Sequence, residues 1–301
     1  MGVIFLDKKS SFKLIGAMLI WGSLGIFVKN IHLSSVEIAF SRAVVGSLFI
    51  FMINKFYFKK PIIDSLKSSN KKSIFILIIL GLLLGLNWVF LFQSYKYTTV
   101  GNGTLIYYLA PAFTILLSPI ITKEKIKLKS LVSVFVAISG LALILISNGE
   151  TSGEYNHIKG MLFALAAAIV YALIVLMNKK LNNIDDIIRT LIQMALSIVI
   201  LLPLVVTRGN FRVESGLTLV ILLFVGVVHT GIAYMLYFSS FKDVATDKIV
   251  VLSYIDPVSS VIFGALFLSE RISINTVIGG ILILGSSFIS NYPGRSGKVE
   301  A

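Results

Sequence analysis

The 301-residue chain contains no cysteine, which excludes disulfides and thiolate chemistry. Histidine occurs three times, and nothing near His229 offers metal-ligand spacing, so neither a metal nor another cofactor is expected. HExxH, GxSxG and HxxxxD motifs are all missing. That argues against the rival reading of an intramembrane enzyme acting on lipid or peptide, because the usual protease and acyltransferase machinery is absent. Charge is scarce at 14% of residues, while 56% are hydrophobic, far too apolar a balance for one soluble core. The 27 basic residues outnumber the 14 acidic ones, yet they are spread over short loops and form no patch or stripe, so no nucleic-acid partner is expected.

What the chain has is long apolar runs from end to end. Hydropathy and length place ten spans at 12–29, 36–57, 73–95, 99–122, 127–147, 159–179, 187–207, 216–240, 248–268 and 273–291. The first follows Lys8, Lys9 and Lys13 as a secretory signal would. It is longer than a typical signal core and lacks an obvious small-x-small cleavage site, so a retained span is expected. Twenty of the basic residues fall on the side that holds both termini, six on the other, and Arg42 lies within a span. The positive-inside rule therefore predicts cytoplasmic termini for a multi-pass protein of the cytoplasmic (inner) membrane.

The stretch Lys248 to Arg271, KIVVLSYIDPVSSVIFGALFLSER, organises the rest. Its apolar run matches a hydrocarbon core about 30 Å thick, and at its middle sit Asp256 and Pro257, which lipid tolerates only when neighbouring protein satisfies them. The same design occurs 146 residues earlier. Gly85, Phe92, Ser94, Lys96, Tyr108, Pro111, Glu124 and Ile126 match Gly231, Phe238, Ser240, Lys242, Tyr254, Pro257, Glu270 and Ile272 at that offset. Five spans separate equivalent helices, an odd number, so the copies cross the membrane in opposite senses. The expected fold is an all-α polytopic membrane protein of ten transmembrane helices. They form two inverted-topology five-helix repeats, residues 1–149 and 150–301. Inverted repeats favour alternating access around a site near the midplane.

Polar residues inside the spans are the candidates for that site. Arg42 lies five residues inward of Glu37, so it either pairs with Glu37 or offers its guanidinium fork to a substrate carboxylate. Asp256 either accepts a structural hydrogen bond at the proline kink or binds a substrate amine or a coupling proton. Pro111 and Pro257 each free a carbonyl one turn earlier, at Tyr107 and Ser253. Asn87, beside Trp88, serves as interhelical glue or as a cavity contact, and Trp21 lines a cavity or faces lipid. Gln193 takes the place in the second half that Arg42 takes in the first. His229, followed by Thr230, Tyr234 and Tyr237, is a packing residue or a relay. Tyr108 completes the substrate-binding set of Arg42, Asn87, Trp88, Tyr107, Tyr108, Gln193, His229, Tyr234, Ser253 and Asp256. The fifth and tenth spans carry no interior charge and are expected at the periphery, as packing helices or as a homodimer face. The linker between the halves, NGETSGEYNHIK, reads as a polar turn with His157 solvated.

SYIDPVSSVIFGALFLSERIS resembles the end of the EamA domain of the drug/metabolite transporter superfamily, with tyrosine and proline at mid-helix and a small-residue run to a Glu-Arg exit. AFSRAVVGSLF resembles that domain's second helix, its arginine being Arg42. QSYKYTTVGNGTLIYYLAP resembles its third-to-fourth connection. The resemblance covers essentially the whole chain as two tandem domains. It implies a basket of ten helices around a central cavity lined mainly by the first four of each half. It further implies movement of amino acids, other small metabolites or drugs, commonly outward. The expected partners are therefore a small-molecule substrate and the lipid bilayer, with protons or a counter-substrate for coupling. The chain departs from a symmetrical pattern by setting Ala110 opposite Asp256 and Gln193 opposite Arg42.

Overall fold

A computed structural model describes residues 2–67, 69–147, 156–181, 184–209, 211–213, 215–240, 244 and 246–291. Lys242, Arg295 and Lys298 of the charge count and residues 148–155 of the linker lie outside the described residues. The helices are α1 (Gly2–Lys29), α2 (Ser35–Ile53), α3 (Ile62–Lys67), α4 (Lys71–Tyr97), α5 (Val100–Tyr107), α6 (Ala110–Ile121) and α7 (Leu128–Ser147) in the first half. The second half holds α8 (His157–Asn178), α9 (Asp186–Arg208), α10 (Gly216–Phe224), α11 (Ala233–Ser240), α12 (Thr246–Ser253), α13 (Ile255–Leu268) and α14 (Ile274–Asn291). Among the described residues nine helical runs are long and apolar enough to cross a membrane, and Ile274–Ser286 is a shorter tenth. The fold is the all-helical, ten-span arrangement of two inverted repeats.

Two spans are broken at equivalent places. The fourth divides into α5 and α6 at Tyr108, and the ninth into α12 and α13 at Tyr254, 146 residues on. Proline has no N–H to continue the ladder, so Pro111 and Pro257 leave the preceding turn unpaired, and the backbone tightens there. Leu109 N bonds Ile106 O at 3.0 Å, and Tyr254 N bonds Val251 O at 3.2 Å, both three residues back instead of four. The eighth span is interrupted differently, by a π-helical stretch at Val225–Ile232 that contains His229 and Thr230. The wider π turn leaves some carbonyls free for other donors.

Between lipid-facing surfaces the halves pack through small residues, since lipid removes the hydrophobic drive between helices and leaves close contact to supply attraction. Gly81 on α4 meets Leu196 on α9, where any Cβ would collide, and Gly85, four residues on, meets Leu201, so this glycine pair forms a seam between the two halves. Asn87 Nδ2 donates to Ala167 O on α8 at 2.8 Å, a second tie between halves. The outlying helices α7 and α14 pack on each other: a Cβ built on Gly140 would stand 2.6 Å from Gly279 O. Their other faces expose residues such as Leu128, Phe135, Ile274 and Ile281, suited to lipid.

His157, expected in solvent, is instead buried, with Nδ1 2.9 Å from Thr98 Oγ1. It opens α8 beside the end of α4, where packing of the two elements covers it.

Candidate substrate cavity

A cavity of about 310 Å³ lies between the halves, at the low end of the size range of small-molecule sites. Both broken spans reach it, with Tyr107, Tyr108, Ala110 and Pro111 on one side and Ser253 and Asp256 on the other. The proline breaks thus put backbone and polar side chains at mid-depth, where irregular backbone is tolerated because it borders a cavity.

Arg42, on α2, is only 4% exposed. Its Nε donates to Thr230 Oγ1 at 2.9 Å, and its guanidinium lies 4.3 Å from the centre of the Trp88 ring. Stacking on an indole face suits a delocalised cation. Among the described residues no carboxylate stands within ion-pair distance of it. The pairing with Glu37 considered above is not made. Glu37 turns the other way and closes a capping box, its Oε2 accepting from Ser34 N at 2.7 Å while its own N–H donates to Ser34 Oγ.

Asp256, in the first turn of α13, accepts a hydrogen bond from Tyr108 Oη at 2.8 Å. The same phenol lies 3.4 Å from Ser253 O, the carbonyl that Pro257 frees. No cation is within ion-pair distance of Asp256 among the described residues. The cavity therefore holds one guanidinium and one carboxyl group, neither engaged by an opposite charge. Asn87 does two things at once: its Nδ2 ties α4 to α8, and its Oδ1 accepts from Tyr107 Oη at 3.3 Å on the cavity side.

The remaining wall is apolar and largely aromatic, with Met18, Leu24, Leu84 and Leu91 among the rings. Trp21 packs against Tyr234 and Tyr237 at 5.2 and 5.1 Å between ring centres, and Tyr107 packs against Tyr171 at 5.4 Å. Trp21 faces the cavity, its Nε1 donating to His229 O at 2.8 Å, a carbonyl of the π-helical stretch.

Eight of the ten candidates, Arg42, Asn87, Trp88, Tyr107, Tyr108, Tyr234, Ser253 and Asp256, come together on this wall. Gln193 and His229 do not. Gln193 is buried between α9 and α8 and donates to Asn178 Oδ1 at 2.8 Å, so helix rotation turns it away from the cavity. His229 is fully buried behind Trp21, with Nε2 3.0 Å from Ser23 Oγ and Phe27 packed on its ring. Tyr95, Thr104 and Tyr171 line the cavity without having been singled out. A sequence signal existed for Tyr171, since it stands 150 residues after Trp21 in the equivalent helix. Tyr95 is held by Thr104 at 3.0 Å, and Thr104 in turn by Ser260 on α13 at 2.9 Å, a chain that no periodicity announces.

A second cleft of about 460 Å³ adjoins the first, sharing Ala110, Pro111 and Tyr171, and ends at Glu124 and Lys179. The cavity thus continues toward that end of the bundle.

Comparison with known proteins agrees with this architecture. The model of the EamA-like transporter family matches residues 8–146 and again 158–292. A Bacillus subtilis protein named uncharacterized transporter YxxF is 30% identical over 288 residues, 96% of this chain and 91% of its own length. An uncharacterized transporter of Archaeoglobus fulgidus is 24% identical over 270 residues, covering 89% of this chain and 91% of that one. A protein of known crystal structure superposes with a TM-score of 0.61 over 94% of this chain and 96% of its own, at 17% identity, a likeness of fold alone. The chain is a multi-pass membrane transporter and belongs to the EamA-like transporter family, within the drug/metabolite transporter superfamily.

Proposed function

We propose that the protein exports small zwitterionic, amphipathic metabolites of the amino-acid type by alternating access. The observation that carries this reading is that Arg42 and Asp256 border one aromatic cavity and neither is engaged by an opposite charge. A guanidinium fork suits a carboxylate, a carboxyl group suits an ammonium, and the rings of Trp21, Trp88, Tyr107 and Tyr234 suit an apolar body between them. Both termini are taken as cytoplasmic in the inner membrane, from the excess of basic residues on their side. The open cleft at Glu124 then faces the cytoplasm, which supports outward movement with the substrate loaded from within. Residues 1–149 and 150–301 form the two repeats of the cycle, and a proton or a counter-substrate supplies the coupling.

The test is a thermal-stability screen of purified protein against amino acids, polyamines, quaternary amines and nucleosides. A ligand at 100 times its dissociation constant stabilises by about 2.7 kcal/mol. Aromatic and large apolar amino acids are expected to raise the melting temperature, and their decarboxylated amines or deaminated acids are expected to do so less. Equal stabilisation by the three forms would remove the zwitterion reading.

A further inference from the structure

The side chain of Glu270, at the end of the ninth span, is only 5% exposed. Its Oε1 accepts from Lys29 Nζ at 2.7 Å and from Val100 N at 2.8 Å, and its Oε2 lies 3.4 Å from Gly101 N. One carboxylate therefore joins three elements: the end of α1, the start of α5 and the end of α13. Two features of the local sequence permit this. Ser269 takes the left-handed conformation at φ 54, turning the chain back over α13, and Gly264 lacks the Cβ that would collide with Glu270 Oε2. Gly25 likewise lets α1 close onto Val100. These contacts hold α1, α5 and α13 close together at this end of the bundle.

The inverted repeat supplies the same parts at the opposite end, paired with each other but exposed. Glu124 stands 146 residues before Glu270, and Lys123 is left-handed at φ 61, 146 residues before Ser269. Lys179 follows the end of α8 as Lys29 ends α1, 150 residues apart, the same offset that relates Trp21 to Tyr171. Yet Lys179 Nζ and Glu124 Oε1 are 3.4 Å apart with both side chains about half exposed, at 50% and 54%. They border the open cleft instead of closing it. Where α1 has Gly25, α8 has Val175, which lines that cleft.

We propose that Glu270 with Lys29, and Glu124 with Lys179, are ion pairs that lock in turn onto the starts of α5 and α12, as the two latches of the transport cycle. The structure holds the first closed and the second open. In the opposite state Glu270 leaves the α5 N-terminus, and Glu124 closes with Lys179 over the start of α12, the element equivalent to α5. The charge-assisted bonds exchanged are of the same kind at the two ends, so the states lie close in free energy, which a two-way cycle requires. The proposal rests on the transporter reading, but its test contains no substrate and so fails or succeeds separately.

The absence of cysteine allows spin labels to be placed at will in the full-length protein in nanodiscs. One pair, Ile158→Cys with Arg271→Cys, reports the Glu270 end, and another, Lys180→Cys with Lys248→Cys, reports the distance from the Glu124 and Lys179 pair to the start of α12. Glu270→Gln, and separately the milder Lys29→Met, are expected to lengthen the first distance and shorten the second. The ratio of states should shift by about tenfold or more, since one partner of a buried charged pair is gone. Adding Glu124→Gln to Glu270→Gln should then reverse the shortening at the Glu124 end. Unchanged distances in a folded Glu270→Gln or Lys29→Met variant would overturn the proposal. So would a shortening that persists when Glu124 is also replaced.

Discussion

The phenol of Tyr108 donates to Oδ2 of Asp256 at 2.8 Å, so one hydrogen bond joins the two proline-broken spans across the cavity. Tyr108 has a tyrosine counterpart in Tyr254, whereas the place equivalent to Asp256 is held by Ala110. The repeat is thus symmetrical in backbone and asymmetrical in charge, and a substrate with unlike ends needs that asymmetry.

Asp256→Asn keeps an oxygen that accepts from Tyr108 and deletes the charge. The variant is expected to melt within about 1 kcal/mol of the parent, in keeping with the modest net worth of one hydrogen bond. Flux of the stabilising ligand into proteoliposomes should be lost or reduced. Parental flux, with and without an imposed proton gradient, would assign Asp256 a structural role.

For Arg42 the informative change is to lysine. Arg42→Lys retains charge but loses both the Nε bond to Thr230 and the flat face stacked on Trp88. Ligand affinity should fall by about tenfold or more, as loss of a charge-assisted bidentate contact implies. Glu37→Gln, by contrast, keeps a side-chain oxygen that can accept from Ser34 N, so it should lower stability by less than about 1 kcal/mol while leaving the dissociation constant unchanged. Calorimetric titration of both variants separates the two roles; a fall in affinity in Glu37→Gln would bring that residue back into the site.

Gln193→Leu strands Asn178 Oδ1 away from the cavity. The expected cost is about 0.5–1.5 kcal/mol of stability, the net worth of one hydrogen bond to a partly exposed acceptor. Half-saturation of transport should not move. A large shift in half-saturation without a change in melting temperature would place Gln193 in the substrate path.

Gly140→Ala puts a methyl group 2.6 Å from Gly279 O, in the seam between α7 and α14. Overpacking of this kind costs about 1–3 kcal/mol. Thermal melting should register it, while ligand affinity stays at the parental value because neither helix lines the cavity that holds Arg42 and Asp256. A parental melting temperature would show that the seam yields.

Orientation can be read from single cysteines at Ser69 and Asn30, which lie at opposite ends of the bundle in the ten-span arrangement. An impermeant maleimide added to intact cells should label Asn30→Cys and leave Ser69→Cys untouched until the membrane is broken. The reverse pattern would invert the assignment of termini and with it the direction of the open cleft.

Spans, repeat and helix breaks were legible in the residues because each depends on neighbours in sequence. An apolar run of bilayer length declares a span wherever it stands, and a proline interrupts its own helix by lacking one N–H, as at Tyr108 and Tyr254. The rotation of each helix about its axis is another matter. It is set by contacts made across the halves, such as Gly81 against Leu196 and Asn87 against Ala167. Arg42 and Gln193 hold equivalent places in sequence, yet one faces the cavity and the other a packing seam. Glu37 sits within reach of Arg42 along the helix and is drawn off by Ser34 instead, because a helix N-terminus offers it backbone donors. Tyr95 and Thr104 enter the wall through a hydrogen-bonded chain that ends on Ser260, 156 residues beyond Thr104. A hydrophobic period records how apolar a face is; which neighbour that face meets is decided only when ten helices pack at once.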